Sequence, residues 1–238
     1  MIEHRPFFAL GVLRRGGVDA RRHFRDGAAP APPGPLYVWD DVEFAPHSAL
    51  GMQVHRDVEI VTWVRSGAIT HEDDAGNRVR LVADSVHVTS AGAAFHDAER
   101  NEENIPARQF RIWLRPRTPA GTARCATRVC SPGCRDGRFV TVASGDPDDV
   151  RAGALPLHAD ARVRIAMLRE GTTMQHGLPL PGAAYLVADH GRLDVGPIRL
   201  AQRDGIAVRD EAWLALRARD DTDVVIVERL RQGRRADR

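Results

Sequence analysis

The sequence predicts an all-β protein made of two consecutive small β-barrels, and three observations predict it. Apolar residues come in short, β-branched runs; clusters of turn residues separate the runs; and a stretch rich in Pro, Gly and Thr divides the 238 residues into two halves of similar strand rhythm. The length accommodates either one large all-β domain or two of ordinary size, so the division rests on the pattern and not on the length.

Taken in order, the first runs lie at 36–39, 58–64, 79–82, 85–89 and 110–114, lengths that suit strands and not helices. Residues 73–77, Asp-Asp-Ala-Gly-Asn, join two of them and supply the Gly and Asn that tight hairpins need for positive φ. Between 115 and 137 the composition shifts to Pro, Gly, Thr, Arg and Cys, and Pro116, Pro119 and Pro132 interrupt regular pairing. Runs resume at 139–143, 162–168, 184–188, 192–195, 205–208, 212–218 and 222–227, separated by turns at 190–191 and 209–211. Closing each sheet removes the edges that an open sheet would expose. The expected organisation is a first barrel over 1–118, a linker over 119–137, a second barrel over 138–230 and a basic tail over 231–238. Neither half carries a long amphipathic helix.

Composition excludes several classes of partner. Lys+Arg (34) nearly cancel Asp+Glu (32), and hydrophobic residues make up 43%, which describes a soluble globular chain without a polyanion-binding surplus. All 34 basic residues are Arg, which reads as a composition bias. The Arg-rich stretch 229–238 reads as a solvated tail, so no direct nucleic-acid binding is expected. No run approaches the roughly 18 apolar residues of a membrane span, and the first residues lack a signal-peptide pattern, so a cytoplasmic location is expected. Cys125, Cys130 and Cys134, at C-x4-C-x3-C spacing, form neither an even disulfide framework nor a C-x-x-C pair and read as reduced thiols. A chain of two closed barrels needs no second copy, so a monomer is expected.

The informative motifs are GMQVHRDVEIVTWVRSG at 51–67, AITHEDDAGN at 68–77 and TSAGAAFHDAERN at 89–101. In this order and spacing they resemble the pirin family, whose first block carries two His one residue apart before an Asp-x-Glu run, and whose second carries Ala-Gly and then His-x-Glu. MIEHRP at 1–6, RHF at 22–24, QFRIWL at 109–114, GALPLH at 153–158, AYL at 184–186 and DGIAVRDEA at 204–212 extend the resemblance over both halves. It implies two tandem cupin-type (jelly-roll) barrels. It also implies a divalent metal, iron(II) in the family, held in the first barrel by three His and one Glu.

Carried over residue by residue, the implied ligand positions fall on Gln53, His55, Asp97 and Glu99, of which only His55 and Glu99 match the family's residue types. Residues two apart share one face of a strand, so 53 with 55 and 97 with 99 are consistent with a common inner wall, and His96 then points the other way. A one-residue slip would instead turn His96 inward. One imidazole, two carboxylates and an amide oxygen make a harder, more oxygen-rich set, suited to manganese or another divalent ion as well as iron, with a metal-free cavity as the competing reading. Glu59 is a further candidate donor, whereas His71, His87, His158, His176 and His190 read as satisfied histidines.

Two functions follow from the resemblance. One is a metal-dependent flavonol (quercetin) 2,3-dioxygenase-type oxidoreductase acting on a small aromatic substrate. The other is a non-catalytic regulatory module that binds a protein partner through a pirin-like fold with a degenerate site. The second half lacks the paired-ligand pattern, and no phosphate-binding loop, dinucleotide-binding glycine motif or G-x-S-x-G elbow is present.

Overall fold

The structure, a computed structural model, describes residues 1–24, 34–119, 121–179 and 182–230. The described residues form, in chain order, β1 (Ile2–Arg5), β2 (Gly11–Arg15), β3 (Val18–Phe24), β4 (Leu36–Phe44), β5 (Ala49–His55), β6 (Glu59–Ser66), β7 (Ala68–Asp73), β8 (Arg78–Val82), β9 (Ser85–Ser90), β10 (Phe95–Arg100) and β11 (Ala107–Leu114). They continue with β12 (Arg124–Val129), β13 (Val140–Ser144), β14 (Leu155–Pro156), β15 (Ala161–Leu168), β16 (Thr173–Gly177), β17 (Ala183–Ala188), β18 (Leu193–Val195), β19 (Ile198–Leu200), β20 (Gly205–Arg209), β21 (Trp213–Ala218) and β22 (Thr222–Arg229). Helical turns are confined to Phe7–Ala9, Pro132–Arg135 and Pro147–Arg151 among the described residues, none long enough to cross a membrane.

These strands make two compact units, each a jelly-roll barrel of a seven-stranded and a four-stranded sheet. In the first barrel the orders are β12-β9-β6-β11-β4-β3-β2 and β5-β10-β7-β8; in the second they are β1-β20-β17-β22-β15-β13-β14 and β16-β21-β18-β19. The all-β, two-barrel expectation is met.

Two of the expected boundaries meet a different arrangement. Residues at the N-terminus, placed by the sequence reading in the first barrel, build the second: β1 pairs antiparallel with β20 from Ile2↔Val208 to Arg5↔Gly205. Chain order is not spatial order here, because β20 has a free edge that this strand covers. The segment read as a linker contains β12, which pairs with β9 from Arg124↔Ser90 to Val129↔Ser85. Its residues are exposed or half-buried along the whole strand, so it lacked the apolar signature that marked the others. The basic tail 231–238 lies outside the described residues.

The strands that matter for the site are β5, β7, β9, β10 and β11. β10 runs antiparallel between β5 and β7, setting Phe95 opposite His55, Asp97 opposite Gln53, and Glu99 opposite His71. A bulge between Asp97 and Glu99 shifts the β5 register by one residue. The turn into β10 depends on Gly92, whose φ is +57° and whose added Cβ would lie 2.3 Å from the Gly121 carbonyl oxygen, so only glycine fits there.

Candidate functional site

Alternation along these strands turns an unusually polar set of side chains into the first barrel. At its centre is the Asp97 carboxylate, 3% exposed. His55 Nε2 donates to its Oδ1 at 2.9 Å and His71 Nε2 to its Oδ2 at 2.7 Å. Burial opposes ionisation of Asp97, but these two hydrogen bonds, with the charges of His55 and Arg111, outweigh it and hold the carboxyl well below the usual carboxylate range. An ionised carboxylate only accepts, so both imidazoles carry their proton on Nε2. His55 Nδ1 is buried and without a hydrogen-bond partner inside the protein.

His71 continues the chain toward β9. Its ring lies 4.7 Å from that of His87, whose Nδ1 is 2.7 Å from Thr127 Oγ1 on β12. Burial and then the neighbouring His71 push the His87 pKa down to about 4, against the opposing pull of Asp97, so His87 is neutral at physiological pH.

On the other side stands Arg111 of β11, 5% exposed. Its Nη1 donates to Gln53 Oε1 at 3.3 Å and lies 3.4 Å from Glu99 Oε2, while its Nε–H has no hydrogen-bond partner inside the protein. Trp113, two residues on, meets the His55 ring edge-on at 5.1 Å, and its ring centroid is 5.6 Å from the Arg111 guanidinium carbon. Tyr37 meets Trp113 edge-on at 6.2 Å, and both aromatics are half-buried. A flat apolar wall therefore borders two buried polar atoms without a hydrogen-bond partner inside the protein, His55 Nδ1 and Arg111 Nε.

All four side chains read from the sequence, Gln53, His55, Asp97 and Glu99, enter this one cluster. His96 points away: it is exposed, and its Nδ1 is 2.8 Å from Asp74 Oδ2. The ungapped register is the one the fold adopts. Glu59 is occupied elsewhere, accepting from Ser90 Oγ at 2.8 Å. The sequence reading missed His71, His87 and Arg111. The signal for Arg111 was its place in QFRIWL, where Phe110, Ile112 and Leu114 alternate as fully buried apolar residues and leave Gln109, Arg111 and Trp113 for the opposite face. His71 and His87 carried no such signal, because their partners come from other strands.

The residues present do not fit a resident divalent metal. His55 Nε2 and both Asp97 oxygens are engaged with one another and with His71, and a guanidinium already lies against Gln53 and Glu99. Among the described residues no group of three or more His, Cys, Asp and Glu side chains is disposed around a point as metal ligands. In the second barrel, His176 Nε2 bonds Glu228 Oε1, and Arg164 Nη1 lies 3.7 Å from the same carboxylate, closing a polar cluster on itself. The three cysteines are free thiols.

Comparison with known proteins agrees with this architecture. The family model described as Pirin matches residues 24–114, and that described as Quercetinase C-terminal cupin domain matches 141–228. The chain is 40% identical to a pirin-like protein of Caulobacter vibrioides and 41% identical to a putative quercetin 2,3-dioxygenase of Pseudomonas aeruginosa, in each case over 96% of this chain and 99% of the relative. Its fold matches the crystal structure of a bacterial pirin from Escherichia coli in complex with nickel(II), with TM-score 0.88, 23% identity and coverage of 98% and 100% of the two chains.

Proposed function

The chain belongs to the pirin family, and from that premise we propose that its first barrel binds a flavonol-type hydroxylated aromatic and promotes its oxygenation by O2, as in a quercetin 2,3-dioxygenase. The observation that carries the reading is the pair of unpartnered polar atoms beside Trp113, His55 Nδ1 and the Arg111 Nε–H. Leaving each unpaired costs roughly 1–3 kcal/mol, a cost that a ligand offering a hydroxyl and an adjacent oxygen removes. Full-length relatives with names of this activity, at 41% and 36% identity, support the same substrate class.

The chemistry follows from the atoms. Asp97 fixes the orientation of His55 through Nε2, and in its neutral form the imidazole receives the proton of the substrate hydroxyl on Nδ1. The guanidinium of Arg111 faces the oxyanion that forms, and burial strengthens that attraction relative to water. Trp113 and Tyr37 hold the flat ring. The resulting electron-rich flavonolate is the species that reacts with O2. Arg111 supplies the cation where the family resemblance implies a divalent metal; a bacterial pirin from Escherichia coli has been solved in complex with nickel(II).

Oxygen consumption with quercetin, followed beside loss of the flavonol absorbance, tests the reading. Coupled uptake that disappears in His55→Ala supports it. Saturable quenching of tryptophan fluorescence without uptake replaces it with the non-catalytic binding module, and absence of both binding and uptake removes it.

A further inference from the structure

We propose that the guanidinium of Arg111 is the built-in cation of the first barrel and stands in place of a divalent metal, so that this chain excludes metal from the position its family resemblance assigns to one. The inference concerns the same site as the proposed oxygenation but rests on the donors alone, whatever the substrate.

Three observations converge. Nη1 of Arg111 is 3.3 Å from Gln53 Oε1 and 3.4 Å from Glu99 Oε2, on two of the four implied ligand residues. On the other two, His55 Nε2 bonds the Asp97 carboxylate, which also bonds His71. The charges point the same way, since Arg111 offsets one of two buried negative charges. Asp97 and Glu99 place two negative charges in a buried space, each 3% exposed, and the 5%-exposed Arg111 is the cation in contact with that space. A carboxylate at position 97, where the resemblance expects an imidazole, adds one negative charge, and a fixed guanidinium offsets it without leaving the protein. A divalent ion entering between Gln53 and Glu99 would have to break the Arg111–Glu99 ion pair, or sit within a few ångströms of the guanidinium against direct Coulomb repulsion.

The test is metal uptake by the intact chain, measured with manganese(II), iron(II) and nickel(II) alone and no flavonol present. Chelator-stripped wild type is expected to retain only substoichiometric metal after dialysis, and its melting temperature is expected not to move with added metal, since a ligand that binds only the folded state must raise it. Arg111→Gln keeps all four donor positions and removes the guanidinium; its metal affinity is expected to rise at least about a hundredfold, toward one equivalent per chain, as expected when a unit charge near a divalent ion is removed. Arg111→Lys keeps the charge and is expected to refuse metal as wild type does. Stoichiometric, melting-shifting uptake by wild type overturns the proposal, whether or not the glutamine variant folds. A folded Arg111→Gln that binds no more tightly than wild type overturns it as well. Failure of flavonol binding leaves these metal results unaffected, so the two readings fail separately.

Discussion

The two barrels share one strand plan and differ in what their central strands carry inward. The strand fourth in order in each seven-stranded sheet makes the contrast plain: β11 brings Arg111 and Trp113 to its barrel's polar cluster, whereas β22 brings Val224 and Ile226 to an apolar core with Leu186, Leu193 and Leu214. Apolar packing in the first barrel includes a cluster around Val42, Phe44 and Ile69 and another around Ile60 and Phe95, and Trp39, Trp63 and Phe110 are fully buried there as well. Both barrels gain stability from apolar burial, at about 25 cal/mol per Å², while the first also gives interior positions to a chain of polar groups that must satisfy one another. A jelly roll fixes where side chains point; the residue at each inward position decides whether that space is a core or a site.

The largest effect should follow from breaking the polar chain at its centre. Asp97→Asn keeps shape but offers only one acceptor to two imidazole donors, so one of His55 and His71 loses its partner or changes tautomer. Flavonol oxygenation is expected to fall by roughly 10²–10⁴-fold in kcat, the range for a disordered general base, with a smaller change in KM. Steady-state oxygen uptake measures it, and a loss of under threefold would show that the first barrel's polarity is not catalytic. The converse is Ile226→Ala in the second barrel. Its side chain is fully buried, and its truncation is expected to cost about 2–5 kcal/mol in denaturant unfolding while leaving flavonol affinity of the folded protein unchanged.

The same contrast explains what was legible in the sequence. The second barrel's strands were readable because apolar alternation marks them, as in WLALRA over β21, where Leu214, Leu216 and Ala218 are buried and their neighbours exposed. β12 and β1 were not assigned correctly, since a strand's partner is a tertiary fact: β12 is exposed or half-buried throughout, and β1 joins a strand some 200 positions later along the chain. In the site, the period-2 rule placed Gln53 with His55 and Asp97 with Glu99, and these do meet. His71, His87 and Arg111 stayed hidden because cross-strand register, not local spacing, brings them to Asp97 and Glu99; Glu99 lies opposite His71 only because β10 pairs with β7 in that one alignment.

A pH series sharpens the comparison further. His87 in the first barrel titrates at about 4 in the folded protein, against about 6.5 when unfolded. Between those values the unfolded chain binds the proton and the folded one does not, so stability is full above pH 6.5 and declines as pH falls toward 4. The loss attributable to this residue is up to about 3 kcal/mol. The difference in denaturation midpoint between wild type and His87→Gln is therefore expected to shrink or reverse on acidification from pH 7 to 4. A difference that stays constant over that range would mean that His87 is charged and paired in the folded barrel, and that this interior is wetter than its burial indicates.

The smallest effect is expected where the two barrels look alike. Arg22 and Asp40 in the first barrel make a two-pronged pair at 2.6 and 2.8 Å, and Arg192 and Asp220 in the second make one at 2.7 and 2.8 Å. Geometry is nearly the same, but Asp40 is buried with 9% of its side chain exposed, whereas Asp220 is 40% exposed. Arg22→Ala strands a carboxylate that water reaches poorly and is expected to cost about 1–2 kcal/mol. Arg192→Ala hands its carboxylate to solvent and is expected to leave the melting temperature unchanged within error, at low and high salt alike. Equal losses from the two substitutions would mean that pair geometry governs, and burial does not; the polar interior of the first barrel would then owe its strength to bond lengths available anywhere on the surface.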